Sequence, residues 1–333
     1  MAFMKILIHL SCYKPAMQRL YAFSLCVLFV ISFKSVYAQR RVDNELGFRN
    51  DNDVYLMKSQ DEYYTNGISL FYKRAIDSTR FSTELWENKL WSIGIGHKIY
   101  NAYTGDIESE NEIDRPITGY LYVNGEMHWY SEREEALSLG MELAVIGKRA
   151  FGEDVQRGFH QLFGFYEING WQYQLNNAIG FDARASYSRL LFRNRGKHLD
   201  VFVSTAASVG MNNTRLSVGP NIRFGRINPL FESAAMGSRV QSGNNKPDRE
   251  LYFFYRPQLS WVTYNSTIQG GLLSGYGQAV TFDIKPFVFS HVIGFQVAMD
   301  RIGLNLNYIH TTREVVDQRR THAYGSLGMT YYF

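Results

Sequence analysis

Apolar residues alternate with small or polar residues in many short stretches of this chain, and this pattern limits the possible folds more than any other feature. Every second residue from 137 to 143 is Leu or Met, and the residues between them are Ser, Gly and Glu. From 302 to 308, Ile, Leu, Leu and Tyr alternate with Gly and two Asn. A period of two indicates β-strands with one apolar face. The chain is therefore predicted to be all-β.

The alternation fits either a soluble sandwich, whose apolar faces point inward, or a membrane barrel, whose apolar face points at lipid. Three features favour the barrel. The chain finishes on a strand that ends in aromatics, Tyr331-Tyr332-Phe333, like the closing strand of outer-membrane barrels. Aromatic residues make up 15% of the chain, as expected where aromatic girdles mark two membrane interfaces. After residue 38, no apolar stretch reaches the roughly 20 residues of a membrane-spanning helix.

We predict a transmembrane antiparallel β-barrel of about twelve strands, an even number as in single-chain bacterial barrels. The predicted strands are 42–50, 64–74, 89–100, 117–129, 135–146, 181–193, 199–210, 213–225, 250–263, 285–299, 301–312 and 322–333. Residues 150–163 instead have helical spacing, with Glu153 and Asp154 where the first turn favours acids. We expect a short helix on an extracellular loop there, and a mobile loop from Asn228 to Glu250.

The first 38 residues predict a signal peptide, which leaves residues 39–333 as a single barrel domain exported to the outer membrane of a Gram-negative cell. An apolar run from Tyr21 to Phe33 follows basic residues and precedes a small-residue cleavage site at Ala38. Both cysteines, Cys12 and Cys26, lie in this segment, so the mature chain has no disulfide and no thiol nucleophile. Four of the 35 basic residues and no acid lie there, so 31 bases then balance 31 acids. Without a basic excess, no nucleic-acid partner is expected.

Three polar clusters stand out, and each also has an ordinary structural explanation. Residues 50–53, Asn-Asp-Asn-Asp, supply oxygen ligands suited to a hard cation, or form a simple turn. Residues 61–67 open the second predicted strand, or form an Asn-Gly turn. By alternation Thr65 lies on the same face as Gly67 and Ser69, so its hydroxyl is predicted to face the lumen. His160 could take a proton from water and shares a helix face with Gln156, or it is an inert surface residue.

Taken together and in order, these clusters resemble the outer-membrane lipid A 3'-O-deacylase family of the LpxR type. The resemblance spans roughly residues 44–179. It rests on Asn50-Asp51, Tyr63-Tyr64-Thr65-Asn66-Gly67, Asp114-Arg115-Pro116, Gln156-x-x-x-His160 and Gly170-Trp171-x-x-Gln174, with a weaker match at residues 264–270. It implies a twelve-stranded barrel that removes the 3'-linked acyloxyacyl chain from lipid A, with lipopolysaccharide as the partner.

The resemblance also implies a calcium-assisted hydrolysis. By position, His160 would be the general base, and Asp51 would orient the water or the imidazolium near the metal. Asn50 and Thr65 would complete the cation and oxyanion site with Asp51, and Gln156 would support it. The chemistry is self-consistent, because a divalent cation can stabilise the charge that ester hydrolysis builds on the carbonyl oxygen. No Ser or Cys nucleophile is then needed.

Tyr166, Glu167 and Trp171 are predicted substrate-binding residues, and here the chain departs from the family pattern. Tyr166 occupies a place where the family can carry an acid, and Glu167 follows it. The loop before Asp114, where the family resemblance implies basic residues, is acidic over residues 104–110. This acidity puts the recognition of lipid A phosphates at that loop in doubt.

Two other functions remain open. A non-catalytic pore or scaffold would have the same strand pattern, but a pore would need rings of charge along its lumen, whereas the predicted inward positions are mainly Gly, Ser, Ala and Asn. Another outer-membrane lipid esterase would use a Ser–His pair, yet no Ser stands in a recognisable context near His160. The protein is expected to be a monomer.

Overall fold

The chain forms a closed β-barrel. The computed structural model describes residues 42–57, 61–77, 86–241, 247–274 and 280–333, so the predicted signal peptide lies outside the described residues. The twelve strands, numbered in chain order, are β1 (Asn44–Asn52), β2 (Tyr64–Ala75), β3 (Asn88–Tyr100), β4 (Thr118–Ser131), β5 (Glu135–Ile146), β6 (Ala178–Arg193), β7 (Leu199–Gly210), β8 (Asn213–Arg226), β9 (Glu250–Asn265), β10 (Phe287–Met299), β11 (Ile302–Thr311) and β12 (His322–Tyr332).

Each strand pairs antiparallel with its neighbours in sequence, and β1 closes the ring by pairing with β12. Closure matters because an open strand edge is not stable in lipid. The predicted fold is therefore confirmed, and all twelve predicted strands are found, with bounds that differ by at most three residues. In the described part of the chain, no helix has both the length and the apolarity to cross a membrane.

The two faces of the wall have opposite chemistry. The outward residues are large and apolar: Ile95 is 49% exposed and Met141 is 60% exposed. The inward face carries small and polar residues together with aromatics such as Phe71, Phe202 and Tyr252. A Cβ on Gly47 would lie 2.0 Å from the Phe71 ring. The apolar face therefore points at lipid, as the strand pattern predicts.

The two ends of the barrel differ. One end, called the loop end here, carries the connections 53–63, 101–117, 147–177, 211–212, 266–286 and 312–321. The other end carries the first strand's start, the last strand's finish and the connections 76–87, 132–134, 194–198, 227–249 and 300–301. Outer-membrane barrels place their longer loops outside the cell, so the loop end is the extracellular end.

Residues 227–241, called the plug here, fold back across the opposite end. The plug connects β8 to β9, yet it contacts strands on the far side of the ring. Tyr130 of β4 donates a hydrogen bond to the Met236 carbonyl at 2.9 Å, and Asn88 of β3 donates to the Val240 carbonyl at 3.0 Å. The expected mobile loop is therefore wrong for this part of 228–250, because its backbone is anchored by strands distant in sequence.

Candidate functional site

A helix on the loop end positions the site. Helix α1 (Gly152–Phe163) confirms the helix predicted for residues 150–163. The chain enters it through Phe151 in the left-handed region, and it ends at Gly164, whose positive φ allows its N–H to donate to the carbonyl of His160. Glu153 and Asp154 lie in the first turn, where the helix dipole favours negative charge.

The start of this helix rests on the lipid-facing side of the wall. Along β3, Ile95 is exposed, and His97, the next residue on that face, donates a hydrogen bond from Nε2 to the Ala150 carbonyl at 2.7 Å. The following outward residue, Ile99, is fully buried in a small apolar core that includes Trp171. The outer face of β3 is therefore exposed at Ile95 and covered by protein at Ile99, two outward residues further along the strand. The segment before α1 lies between them, at His97.

Two glycines allow the helix to approach the wall backbone to backbone. A Cβ atom on Gly119 of β4 would lie 2.8 Å from the Gly152 nitrogen, and a Cβ on Gly152 would lie 2.5 Å from the Trp171 ring. Real side chains do not fit at such distances, so both positions need glycine. The close approach fixes α1 against the outer side of β4.

A β-bulge in β2 turns Thr65 toward this helix. The pairing of β2 with β3 shifts between Tyr64 and Asn66, which leaves Thr65 as an extra residue. Tyr64 points into the lumen, whereas the Thr65 hydroxyl contacts the carboxylates of Asp53 and Asp61. The prediction that Thr65 faces the lumen is wrong, because the bulge breaks the parity on which it rested.

The Asp61 carboxylate makes most of the contacts in the polar cluster. Its Oδ2 lies 2.8 Å from His160 Nε2, and it accepts hydrogen bonds from Gln156 Nε2 at 2.9 Å and from the Tyr166 hydroxyl at 3.1 Å. Its Oδ1 accepts a bond from the Thr65 hydroxyl at 2.7 Å. One carboxylate thus joins the strand bulge to the helix and to the loop that follows the helix.

His160 is held at both ring nitrogens. Nδ1 donates to the Tyr166 carbonyl at 2.8 Å, while Nε2 faces Asp61. The Tyr166 ring stands edge-on to the imidazole, with centroids 5.0 Å apart. Gln156, one turn earlier on the same face, accepts a hydrogen bond from Trp171 Nε1 at 3.0 Å. Asp61 and Tyr166 therefore orient the imidazole before any substrate binds.

The interaction between His160 and Asp61 shifts the pKa of each group. Burial would lower the pKa of His160, but the hydrogen bond and the charge of Asp61 raise the pKa above its ordinary value. Burial would raise the pKa of Asp61, but its bonds with His160, Thr65 and Gln156 lower the pKa overall. Burial, followed by the charge of Asp61, raises the pKa of Tyr166, which is therefore neutral. Each group thus favours the charged form of the other.

The structure brings together only some of the predicted catalytic and metal residues. His160, Gln156 and Thr65 meet, but the described contacts of Asn50 and Asp51 lie elsewhere. Asp51 points into the lumen and accepts a bond from the Tyr64 hydroxyl at 2.7 Å. Asn50, on the opposite face of β1, bonds with the Tyr55 hydroxyl at 2.5 Å and the Gly67 carbonyl at 3.0 Å. Consecutive strand residues face opposite sides, so this pair cannot share one site.

Asp53 and Asp61 are the acids beside His160, and they were absent from the predicted set. Asp53 is buried, and its Oδ2 accepts bonds from the Glu62 N–H and the Thr65 hydroxyl, both at 3.1 Å. Its charge also contributes to the raised pKa of His160. Both acids belong to polar clusters visible in the sequence, at 50–53 and 61–67, but no periodicity there indicates which acid faces the helix.

The three predicted substrate-binding residues have different environments. The Tyr166 hydroxyl belongs to the Asp61 cluster, where it also accepts the Asp61 N–H at 3.0 Å. Glu167 is exposed at the surface. Trp171 is only 1% exposed and bonds with Gln156, so in this conformation it supports the helix rather than touching a ligand.

The remaining motifs brace the loops. Asp114 accepts hydrogen bonds from the Tyr63 hydroxyl at 2.8 Å and the Arg319 N–H at 2.9 Å. Arg115 is buried, stacks over Tyr100 and donates to the Thr267 hydroxyl at 3.1 Å. The segments 114–116 and 264–270 thus meet each other and tie separate loops together at the outer rim.

The fold and the site define a class of protein: an outer-membrane barrel with a buried histidine–aspartate pair on the outer side of its wall. A family model described as outer membrane protein LpxR matches residues 23–333. The chain therefore belongs to the LpxR family of outer-membrane proteins.

Two solved structures are similar to this chain to different degrees. LpxR from Salmonella typhimurium has a TM-score of 0.68 with 19% sequence identity, covering 87% of this chain and all of that one. The β domain of the Bordetella autotransporter Brka has a TM-score of 0.44 with 12% identity, covering 88% of this chain and 100% of that one. At 19% identity, the similarity to the Salmonella protein describes the fold alone. Among curated protein sequences, none matches the chain.

Proposed function

We propose that this protein is a lipid A deacylase that hydrolyses the 3'-O-linked acyloxyacyl ester in the outer leaflet. One observation carries the proposal: in an LpxR-family barrel, the His160–Asp61 pair lies between α1 and the outer side of the wall, close above the lipid-facing residues. A lipid ester could approach this pair without leaving the membrane surface. His160 would be the general base that activates water.

The hydrogen bonds of His160 identify the nitrogen that would act as the base. Nδ1 must carry a proton, because its partner, the Tyr166 carbonyl, can only accept one. Nε2 is then the atom that would take a proton from water. Since Nε2 faces Asp61 at 2.8 Å, the attacking water would have to enter between these two groups. Asp61 would orient that water and stabilise the imidazolium that forms, which is the role first expected of Asp51.

Calcium is the proposed cofactor, because the oxygen donors suit it. Of the predicted ligands Asn50, Asp51 and Thr65, only Thr65 lies in the cluster. Its hydroxyl stands 3.1 Å from Asp53 Oδ2 and 2.7 Å from Asp61 Oδ1, so a hydroxyl and two carboxylates converge there. These three residues would hold a hard cation that tolerates an irregular set of oxygens. When bound, such a cation stabilises charge on the ester carbonyl oxygen.

The direct test is mass spectrometry of lipid A from Gram-negative cells that express the wild type, the His160→Ala variant or no enzyme. The wild type alone should yield lipid A lighter by one acyloxyacyl chain, with the loss mapped to the 3' position. Heat-modifiable gel mobility would establish that both barrels are folded. Unchanged lipid A in cells with a folded wild-type barrel in the outer membrane would refute the proposal.

A further inference from the structure

Helix α1 has three faces, and the site uses only one. At 3.6 residues per turn, the buried residues fall together on the face that meets the wall: Gly152, Gln156, His160 and Phe163. A second face is polar, with Glu153, Asp154, Arg157 and Gln161. The third face is apolar, with Phe151, Val155, Phe159 and Leu162.

The third face is open over most of its length. Phe151 is 57% exposed, Val155 is 38% exposed and Leu162 is 63% exposed. Phe159 is half-buried and packs its ring 4.6 Å from that of Phe163, which links this face to the buried one. An exposed apolar stripe beside a polar stripe on one helix is the pattern of a helix at a membrane interface.

The position of the helix agrees with that pattern. The outward face of β3 is lipid-exposed at Ile95, bonds with the segment before α1 at His97, and is covered at Ile99. The helix therefore starts at the level where the apolar belt of the barrel ends. Its exposed apolar residues, Phe151, Val155 and Leu162, therefore follow directly on that belt.

We infer that α1 is an interfacial helix whose apolar face inserts into the acyl chains of the outer leaflet. Its polar face would then point to water, and its buried face would hold His160 against the wall. An apolar face of this kind sinks about 5–10 Å into the boundary between headgroups and acyl chains. The His160–Asp61 pair would then lie close to the depth of the acyl esters of membrane lipids. This inference depends on the barrel's place in the membrane and not on the proposed reaction.

Single-cysteine labelling in vesicles tests the inference independently of activity. Both natural cysteines lie in the predicted signal peptide, so Leu162→Cys and its neighbour Gln161→Cys would each carry one environment-sensitive fluorophore. Val155→Cys and Asp154→Cys form a second pair of neighbours on the apolar and polar faces. The refolded barrels would be placed in phospholipid vesicles containing nitroxide-labelled lipids, and quenching by these lipids would be compared with quenching by aqueous iodide.

Labels at positions 162 and 155 should be quenched several-fold more by nitroxide lipids than by iodide, and labels at 161 and 154 should show the reverse. Nitroxides near the head of the acyl chain should quench more than those near its end. Equal iodide quenching of the two labels in a pair, 161 with 162 or 154 with 155, would overturn the inference. Protection of position 162 from both quenchers would also overturn it, because another part of the protein would then cover that face. Absence of deacylase activity would leave this result unaffected.

Discussion

His160 is held by Tyr166 at one ring nitrogen and by Asp61 at the other. Replacing it with Ala removes the imidazole beside Asp61, and the barrel should still fold because α1 is not part of the closed ring of strands. Lipid A deacylation by His160→Ala should fall by about 10²–10⁴, the usual contribution of a general base. The rate would be measured with purified, heat-modifiable protein, and Gln161→Ala, an exposed neighbour, should keep the wild-type rate. A fully active His160→Ala variant would show that the base lies elsewhere.

The Asp61 charge sets the pH dependence. His160 must lose its proton to act as a base, and its pKa is raised above 6.5 despite burial, because Asp61 hydrogen-bonds to it and attracts its charge. The rate should therefore rise with pH through a midpoint above 6.5. Asp61→Asn removes the charge, so the midpoint should move to lower pH while the maximal rate falls. Asp51→Asn, in the lumen, should leave the midpoint in place; a shift of equal size would contradict the assignment of Asp61.

The metal dependence should follow Asp53 and Asp61 rather than Asp51. We expect activity to vanish in chelator and to return with calcium more readily than with magnesium, which demands a near-ideal octahedron and gives up water reluctantly. Asp53→Asn should raise the calcium concentration needed for half-maximal rate, and Asp51→Asn should change it much less. A calcium titration of the two variants measures this difference. Full activity in excess chelator would leave a reaction that needs no cation.

The residue-level site was only partly predictable. His160 and Gln156 are found because helical spacing puts residues four apart on one face. Asp53 and Asp61 flank an irregular connection without periodicity, so neither can be chosen over its neighbours from the sequence. The orientation of Thr65 depends on a one-residue bulge, which reverses the side on which a strand residue lies. The missing information is the pairing of β2 with β3, which no local pattern encodes.

At the scale of elements, two glycines of α1 offer a matched experiment. Gly152 meets the wall at Gly119 and the Trp171 ring, whereas a Cβ at Gly158 would have nothing within 4 Å. Gly152→Ala should displace the helix from the wall and abolish deacylation while the barrel still folds. Gly158→Ala should keep activity and favour the helix by about 1 kcal/mol. Rates and heat-modifiable mobility of the two variants provide the test, which fails if Gly152→Ala is as active as Gly158→Ala.

Most of the strands and the helix could be predicted from local sequence patterns. Strict alternation predicted β5 with both ends correct, because its inward residues are small or polar and its outward residues are Leu or Met. The plug shows the limit of such patterns. Its composition of Ser, Gly and Asn is typical of a mobile loop, yet Tyr130 and Asn88 hold its backbone from across the barrel. Composition indicates that a segment favours a loop conformation. It does not show which distant strands will bind that loop once the barrel has closed.

At the scale of the whole molecule, the site and the lumen are separate. His160 lies outside the wall, under α1, whereas the plug occupies the lumen at the opposite end. A buried ionic network fixes the plug there. Asp200, which is fully buried, accepts hydrogen bonds from Arg193 at 2.8 Å and from Arg223 at 2.6 Å. Arg223 also donates to Ser233 of the plug at 2.6 Å. The reaction proposed here needs no passage through the barrel.

This arrangement predicts that the wild-type protein is not a pore. In planar bilayers it should show no steady ion conductance, because the plug spans the lumen from β8 and β9 to β3 and β4. Asp200→Ala would leave Arg193 and Arg223 without their shared buried carboxylate, a change that typically costs about 3–5 kcal/mol. Transient openings should therefore appear in this variant. Arg249→Ala removes only a surface ion pair with Asp300, near 3.4 Å, and should behave like the wild type. Stable channels formed by the wild type would instead favour the pore as the function of the barrel.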